Sequence, residues 1–187
     1  MPDNSVLFLA AKLYKRCIHL QDTPMALDRL DVRILNLMQE NAATPLRVLA
    51  TEANASVATC QRRIAQLRSD GVLLKEVAIV DRMRVGKPLT VFVSVELDKQ
   101  NDALLRAFER RMMSEGDVMA CYEVSGEFDF LLIVNSASME RYHAFTRRLF
   151  SSNNNVRNFK SNFAMNCSKF ETKIQIDDPE EPDGGSA

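Results

Sequence analysis

The chain has 187 residues, 46% apolar and 26% charged, a composition that fits one medium or two small globular domains and excludes a disordered polymer. Its formal net charge of −1 carries no global basic signature, so any contact with nucleic acid must come from a local patch. Four cysteines (Cys17, Cys60, Cys121, Cys167) with no C-x-x-C pair, and only two histidines (His19, His143), argue against a metal site or a disulfide framework and for thiols kept reduced in the cytoplasm.

The first segment, residues 1–26, reads as an N-terminal extension. Its apolar run Val6-Leu7-Phe8-Leu9-Ala10-Ala11 is too short to span a bilayer. The basic residues follow that run instead of preceding it, unlike a secretory signal. Met25 stands just before the first periodic segment and is a second possible start. No membrane association is expected.

Residues 27–41 place Leu27, Leu30, Ile34, Leu35 and Met38 at helical spacing. Thr44-Pro45 is expected to open a second helix, with threonine as cap and proline at the first helical position. Asn54-Ala55 is a short turn, and asparagine tolerates the left-handed conformation. Ser56 caps a third helix that runs to about Asp70 and is stopped by Gly71. Two helices joined by so short a turn read as helix-turn-helix. Residues 72–80 then form either a small two-stranded wing or a single strand, and 81–87 form a linker between domains.

From Pro88 the pattern is mixed. Leu89, Val91, Val93, Val95 and Leu97 alternate with polar neighbours at strand period. Leu104, Leu105, Phe108 and Met112 have helix period. Residues 117–124 and 128–135 read as strands around Gly126, Met139 to Leu149 as a helix, and 156–165 as a last strand with Phe159, Ser161, Phe163 and Met165 on one face. The order βαββαβ over 88–176 predicts a ferredoxin-like α+β sheet with helices on one side. The other side would carry Phe92, Leu131 and Ile133, and a second copy is the expected cover. The acidic, proline- and glycine-rich tail, 177–187, is expected to be disordered.

Two clusters carry chemistry. On the third helix Val57, Cys60, Ile64 and Leu67 make the inner stripe. Ser56, Ala58, Thr59, Arg62, Arg63 and Gln66 form an outward set with a small, uncharged N-terminal end. Such an end fits a major groove, with arginine and glutamine reaching bases and phosphates; a solvated bundle face reads the same way. The second cluster is Gly126-Glu127-Phe128-Asp129. Backbone N–H groups there suit an α-carboxylate, and the Asp129 side chain, turned back toward Gly126, suits an ammonium; an ordinary hairpin tip with two solvated acids is the plain alternative. Met119 and Met139 are expected near this turn. No nucleophile, histidine or metal cluster accompanies the two acids, so no catalytic residue and no cofactor is assigned.

These residues resemble the Lrp/AsnC, or feast/famine, family of transcriptional regulators. Leu27-Asp28-x-x-Asp31-x-x-Ile34-Leu35 is similar to the family's first helix. Ser56-x-x-x-Cys60-x-x-Arg63-Ile64-x-x-Leu67-x-x-x-Gly71-Val72-Leu73 resembles its recognition helix and wing. Val124-Ser125-Gly126-Glu127-Phe128-Asp129 resembles the signature of its ligand domain, and the likeness spans about residues 27–174.

The resemblance implies an N-terminal winged helix-turn-helix over 27–80 that binds double-stranded DNA. It implies a hinge strand and a ligand domain that dimerises through its sheet and assembles into octamers or helices. An amino-acid effector would bind near the glycine turn, between dimers, with Gly126, Phe128, Asp129, Met139, Ser161, Asn162 and Phe163 as the implied contacts. Glu123, Asn162 and the run Asn153-Asn154-Asn155 depart from leucine-responsive relatives. Of these, Glu123 and Asn162 point to a polar effector or to a site that has lost its ligand. The rival readings are a ligand-independent architectural DNA-binding protein and a haem-pathway decarboxylase on the same architecture.

Overall fold

The computed structural model describes residues 26–150 and 154–179. The expected N-terminal extension therefore lies outside the described residues except for Ala26, as does the expected disordered tail beyond residue 179. The described residues fall into two compact units: residues 26–78 with 169–179, and residues 79–150 with 154–168.

The first unit holds three helices, α1 (Arg29–Glu40), α2 (Leu46–Glu52) and α3 (Val57–Ser69). Asp28 caps α1 reciprocally with Asp31: the Asp31 N–H donates to Asp28 Oδ1 at 2.8 Å, and the Asp28 N–H to Asp31 Oδ2 at 3.4 Å. Ile34, Leu35 and Met38 meet Leu49, Ala50, Cys60, Ile64 and Leu67 in one buried core. Asn54 takes a φ of 54°, which closes the turn between α2 and α3. Ser56 caps α3 by accepting the Thr59 N–H, and Gly71, at φ 67°, ends it. Thr44 is not the cap of α2. Pro45 holds that place with no side-chain bond, and its carbonyl accepts from Val48 and Leu49.

Two expectations change in this unit. Residues 74–80 form neither wing nor strand, and Val77, Ile79 and Val80 are exposed. A strand needs a ladder partner, and among the described residues none pairs there. Residues 169–176, expected in the α+β domain, lie instead against α1. The Gln39 side chain pairs with the backbone of Ile174 like a strand neighbour, accepting its N–H at 2.8 Å and donating to its carbonyl at 3.1 Å. Ile176 packs on the helical core and Lys173 pairs with Glu40.

The second unit begins with a closed turn over 81–87, where Asp81 accepts the Met83 N–H and the Lys87 N–H reaches the Arg82 carbonyl. It continues as β1 (Leu89–Leu97), α4 (Asp102–Met113), β2 (Val118–Glu123), β3 (Phe130–Ser136), α5 (Met139–Leu149) and β4 (Val156–Phe163). The sheet order is β2-β3-β1-β4, antiparallel throughout, the α+β arrangement the alternation implied. Val91, Val93 and Val95 align in turn with Val134, Leu132 and Phe130, and this face is covered by Phe108, Met112, Tyr142, Phe145 and Leu149. The rings of Phe108 and Phe130 stack at 4.6 Å between centroids. Phe159, Ser161 and Phe163 share the helix-covered face, since they pair with Val95, Val93 and Val91. Met165 lies beyond the strand and is 96% exposed.

Candidate nucleic-acid interface and effector site

On α3 the outward set divides in two. Ser56, Ala58, Arg62 and Gln66 are exposed, and Thr59 is half-buried with its hydroxyl 2.8 Å from that of Ser56. Gln66 donates to both carboxylate oxygens of Asp70, at 2.9 and 2.8 Å. Arg62 extends from the exposed face and makes no ion pair among the described residues.

Arg63 departs from the expected set. Its guanidinium points into the unit and binds two carboxylates of α1, Asp28 Oδ2 at 2.5 Å and Asp31 Oδ2 at 3.2 Å. Partial burial acts to raise the Asp28 carboxyl. The N–H groups of Asp31 and Leu30 and the Arg63 charge outweigh it and hold Asp28 below the ordinary carboxylate range. A lone sequence cannot show this pairing, because Asp31 and Arg63 stand 32 positions apart.

The effector set also divides. Gly126 sits at the β2–β3 tip with a φ of 133°, a conformation that favours glycine. Asp129 does not turn back toward it. Its Oδ2 accepts the Leu97 N–H at 2.7 Å and its Oδ1 accepts from the Gln100 side chain at 2.7 Å. Both oxygens serve the joint between the hairpin tip and the end of β1. Phe128, half-buried, precedes it.

Met139 opens α5, which follows the far end of β3. Phe130 starts β3 beside the turn and Ser136 ends it, a separation of about 20 Å at strand rise. Met139 is therefore not beside the glycine turn of its own chain. Neither is Met119, which lies against Asn135 near that same far end. Ser161 and Phe163 belong to the Met139 side. The Tyr142 hydroxyl is hydrogen-bonded to that of Ser161, and its ring meets Phe163 edge-on at 5.4 Å. Burial raises the Tyr142 phenol, and the Ser161 hydroxyl offsets part of that. Asn162 points to the opposite sheet face, beside Phe92. The seven implied contacts thus do not converge in one chain: Gly126, Phe128 and Asp129 lie at the turn end, Met139 follows the far end, and Ser161 and Phe163 run from mid-strand toward that far end, with Asn162 on the other face.

A three-helix unit with an exposed, capped third helix, and a separate four-stranded α+β unit, define a two-part DNA-binding regulator. Residues 27–68 match the AsnC-type helix-turn-helix domain and residues 90–174 match the Lrp/AsnC ligand binding domain. The chain belongs to the Lrp/AsnC family of transcriptional regulators.

It is 46% identical over 148 residues to an uncharacterized HTH-type transcriptional regulator of Haemophilus influenzae, covering 79% of this chain and 88% of the relative. An AsnC family transcriptional regulator from Agrobacterium tumefaciens superposes with a TM-score of 0.75 at 32% identity, over 80% of this chain and 97% of that one. A transcriptional regulator from Neisseria meningitidis, solved as a complex with L-Met, gives a TM-score of 0.75 at 25% identity over the same shares.

Proposed function

We propose that this protein is a cytoplasmic, one-component transcription regulator that works as a dimer or larger assembly and answers to a small amino acid. The observation that carries this is the division of the effector residues. Gly126, Phe128 and Asp129 stand at one end of the sheet, Met139 follows the other end, and Ser161 and Phe163 run from mid-strand toward Met139. One chain cannot close both groups on a single amino acid. Two chains can, with the glycine turn of one against the α5–β4 end of another.

Assembly has its own support in the uncovered sheet face. Phe92 is 39% and Tyr122 52% exposed there, beside Leu131 and Ile133. Such a face is stabilised by burial against a second copy. The L-Met complex of the Neisseria relative supports an amino acid as the class of effector. Glu123, at the end of β2 beside the turn, favours a polar one. DNA binding is assigned to Ser56, Ala58, Thr59, Arg62 and Gln66.

The ligand-independent architectural reading is the second, and one observation favours it: both oxygens of Asp129 are already engaged. A thermal-shift screen with the twenty amino acids, followed by light scattering, separates the two. The sensor predicts that at least one amino acid raises the melting temperature and changes particle size. No response to any of them would leave the architectural reading.

A further inference from the structure

We propose that Arg63 is a positioning residue: it fixes the rotation of α3 toward DNA by clamping that helix to the capped start of α1. The two carboxylates it holds, Asp28 and Asp31, are also the two halves of the α1 capping box. One guanidinium therefore reads the exact place where α1 begins. Asp31 is 5% exposed, so this contact is poorly screened by salt.

The geometry matters because neighbouring helix residues point about 100° apart. With Arg63 held inward, Arg62 is carried onto the exposed face with Ala58 and Gln66. The guanidinium supplies donors in a rigid plane, one nitrogen to each carboxylate. An ammonium is a single point charge and cannot hold both in that arrangement. A merely stabilising pair needs only the charge; a rotational clamp needs the fork.

This inference rests on α3 being the DNA-contacting helix, and the experiment separates the two claims. The full chain is used to enrich a duplex from a random library. Affinity for that duplex and for poly(dI-dC) is then measured across a salt series. The proteins compared are the parent, Arg63→Lys, Arg63→Ala, Asp28→Asn and Asp31→Asn.

The clamp predicts that Arg63→Lys and Asp28→Asn lower the ratio of specific to non-specific affinity by about tenfold, the scale of one misread base pair. The salt dependence on poly(dI-dC) should stay that of the parent. Asp28→Asn removes a negative charge and keeps a good capping side chain, so charge alone predicts tighter binding for it.

If Arg63 touched phosphate instead, Arg63→Ala would weaken both duplexes alike and lower the salt slope by about one. Arg63→Lys would then stay near the parent. That result overturns the proposal. So does a loss of both affinities in equal proportion with the ratio unchanged, the mark of simple unfolding. Should Asp31→Asn fail to fold, Arg63→Lys and Asp28→Asn, on partly exposed side chains, decide the matter. A parent that enriches no sequence would overturn the DNA-reading function, and the clamp with it.

Discussion

The Asp129 carboxylate accepts the backbone N–H of Leu97 at 2.7 Å, which ties the tip of the β2–β3 hairpin to the end of β1. Removing it strands that N–H. Asp129→Ala should therefore cost about 1–3 kcal/mol of stability, and Asp129→Asn less, since an amide oxygen can still accept. Thermal melts of the two variants check this. Calorimetry with the best amino acid from the screen adds a second comparison. If Asp129→Asn keeps the parent affinity, the residue shapes the turn and does not bind the ammonium.

Arg62 differs from its neighbour in having no structural commitment among the described residues. Arg62→Ala should leave the melting temperature unchanged. It should weaken binding to an enriched duplex by about 1–3 kcal/mol if Arg62 reads a base. A gel-shift titration at fixed salt measures it, and unchanged affinity would remove Arg62 from the interface.

What was legible in the residues was what depends on near neighbours. The left-handed Asn54, the Ser56 cap and the Gly71 stop each act within four positions, and each is where the local pattern placed it. The strand alternation of Leu89 to Leu97 set the covered face for the same reason. What near neighbours do not reveal about Arg63 and Asp129 is their intrachain partners, Asp31 and Leu97, each 32 positions away. A charge without its partner in view looks like a contact for something outside. Residues 74–80 look like a strand and are not one for a related reason: β-branched residues favour a strand, but only a neighbouring strand makes one. The stretch 169–176 gave no signal, because Gln39 imitates a backbone there and glutamine on a helix looks solvated.

The uncovered sheet face leads to an assembly prediction. Phe92 stands in the middle of that face, opposite Ile133 on one side and Asn162 on the other. Phe92→Glu would place a charge where a second copy must bury it, which is strongly unfavourable without a partner. Light scattering should then find a particle near the 21.1 kDa of one chain, while the parent is at least twice that. A parent already of single-chain mass at micromolar concentration would rule out the dimer.

Ile176 is the apolar anchor of the C-terminal stretch on the helical unit. Ile176→Ser should free that stretch at a cost of about 1–3 kcal/mol, the scale of one partly buried aliphatic side chain. The readout is hydrogen exchange at Ile174, whose N–H is held by Gln39. Faster exchange at Ile174 with α3 still protected is the expected result; unchanged exchange would mean that Gln39 alone holds the segment.

Cys121 makes the alkaline limb of stability predictable. Burial, with the charges of Glu109 and Glu123, pushes its thiol from an ordinary value of 9.0 up to about 12. Between those values the unfolded chain gives up the proton and the folded chain keeps it. The folded state then binds more protons, so stability falls as pH rises. The contribution is complete below pH 9 and is lost progressively toward pH 12. Melting temperatures of the parent should therefore drop more steeply between pH 9 and pH 11 than those of Cys121→Ala, whatever their difference at pH 7. Parallel slopes would show that the Cys121 thiol ionises alike in both states, and that the alkaline loss belongs to other groups.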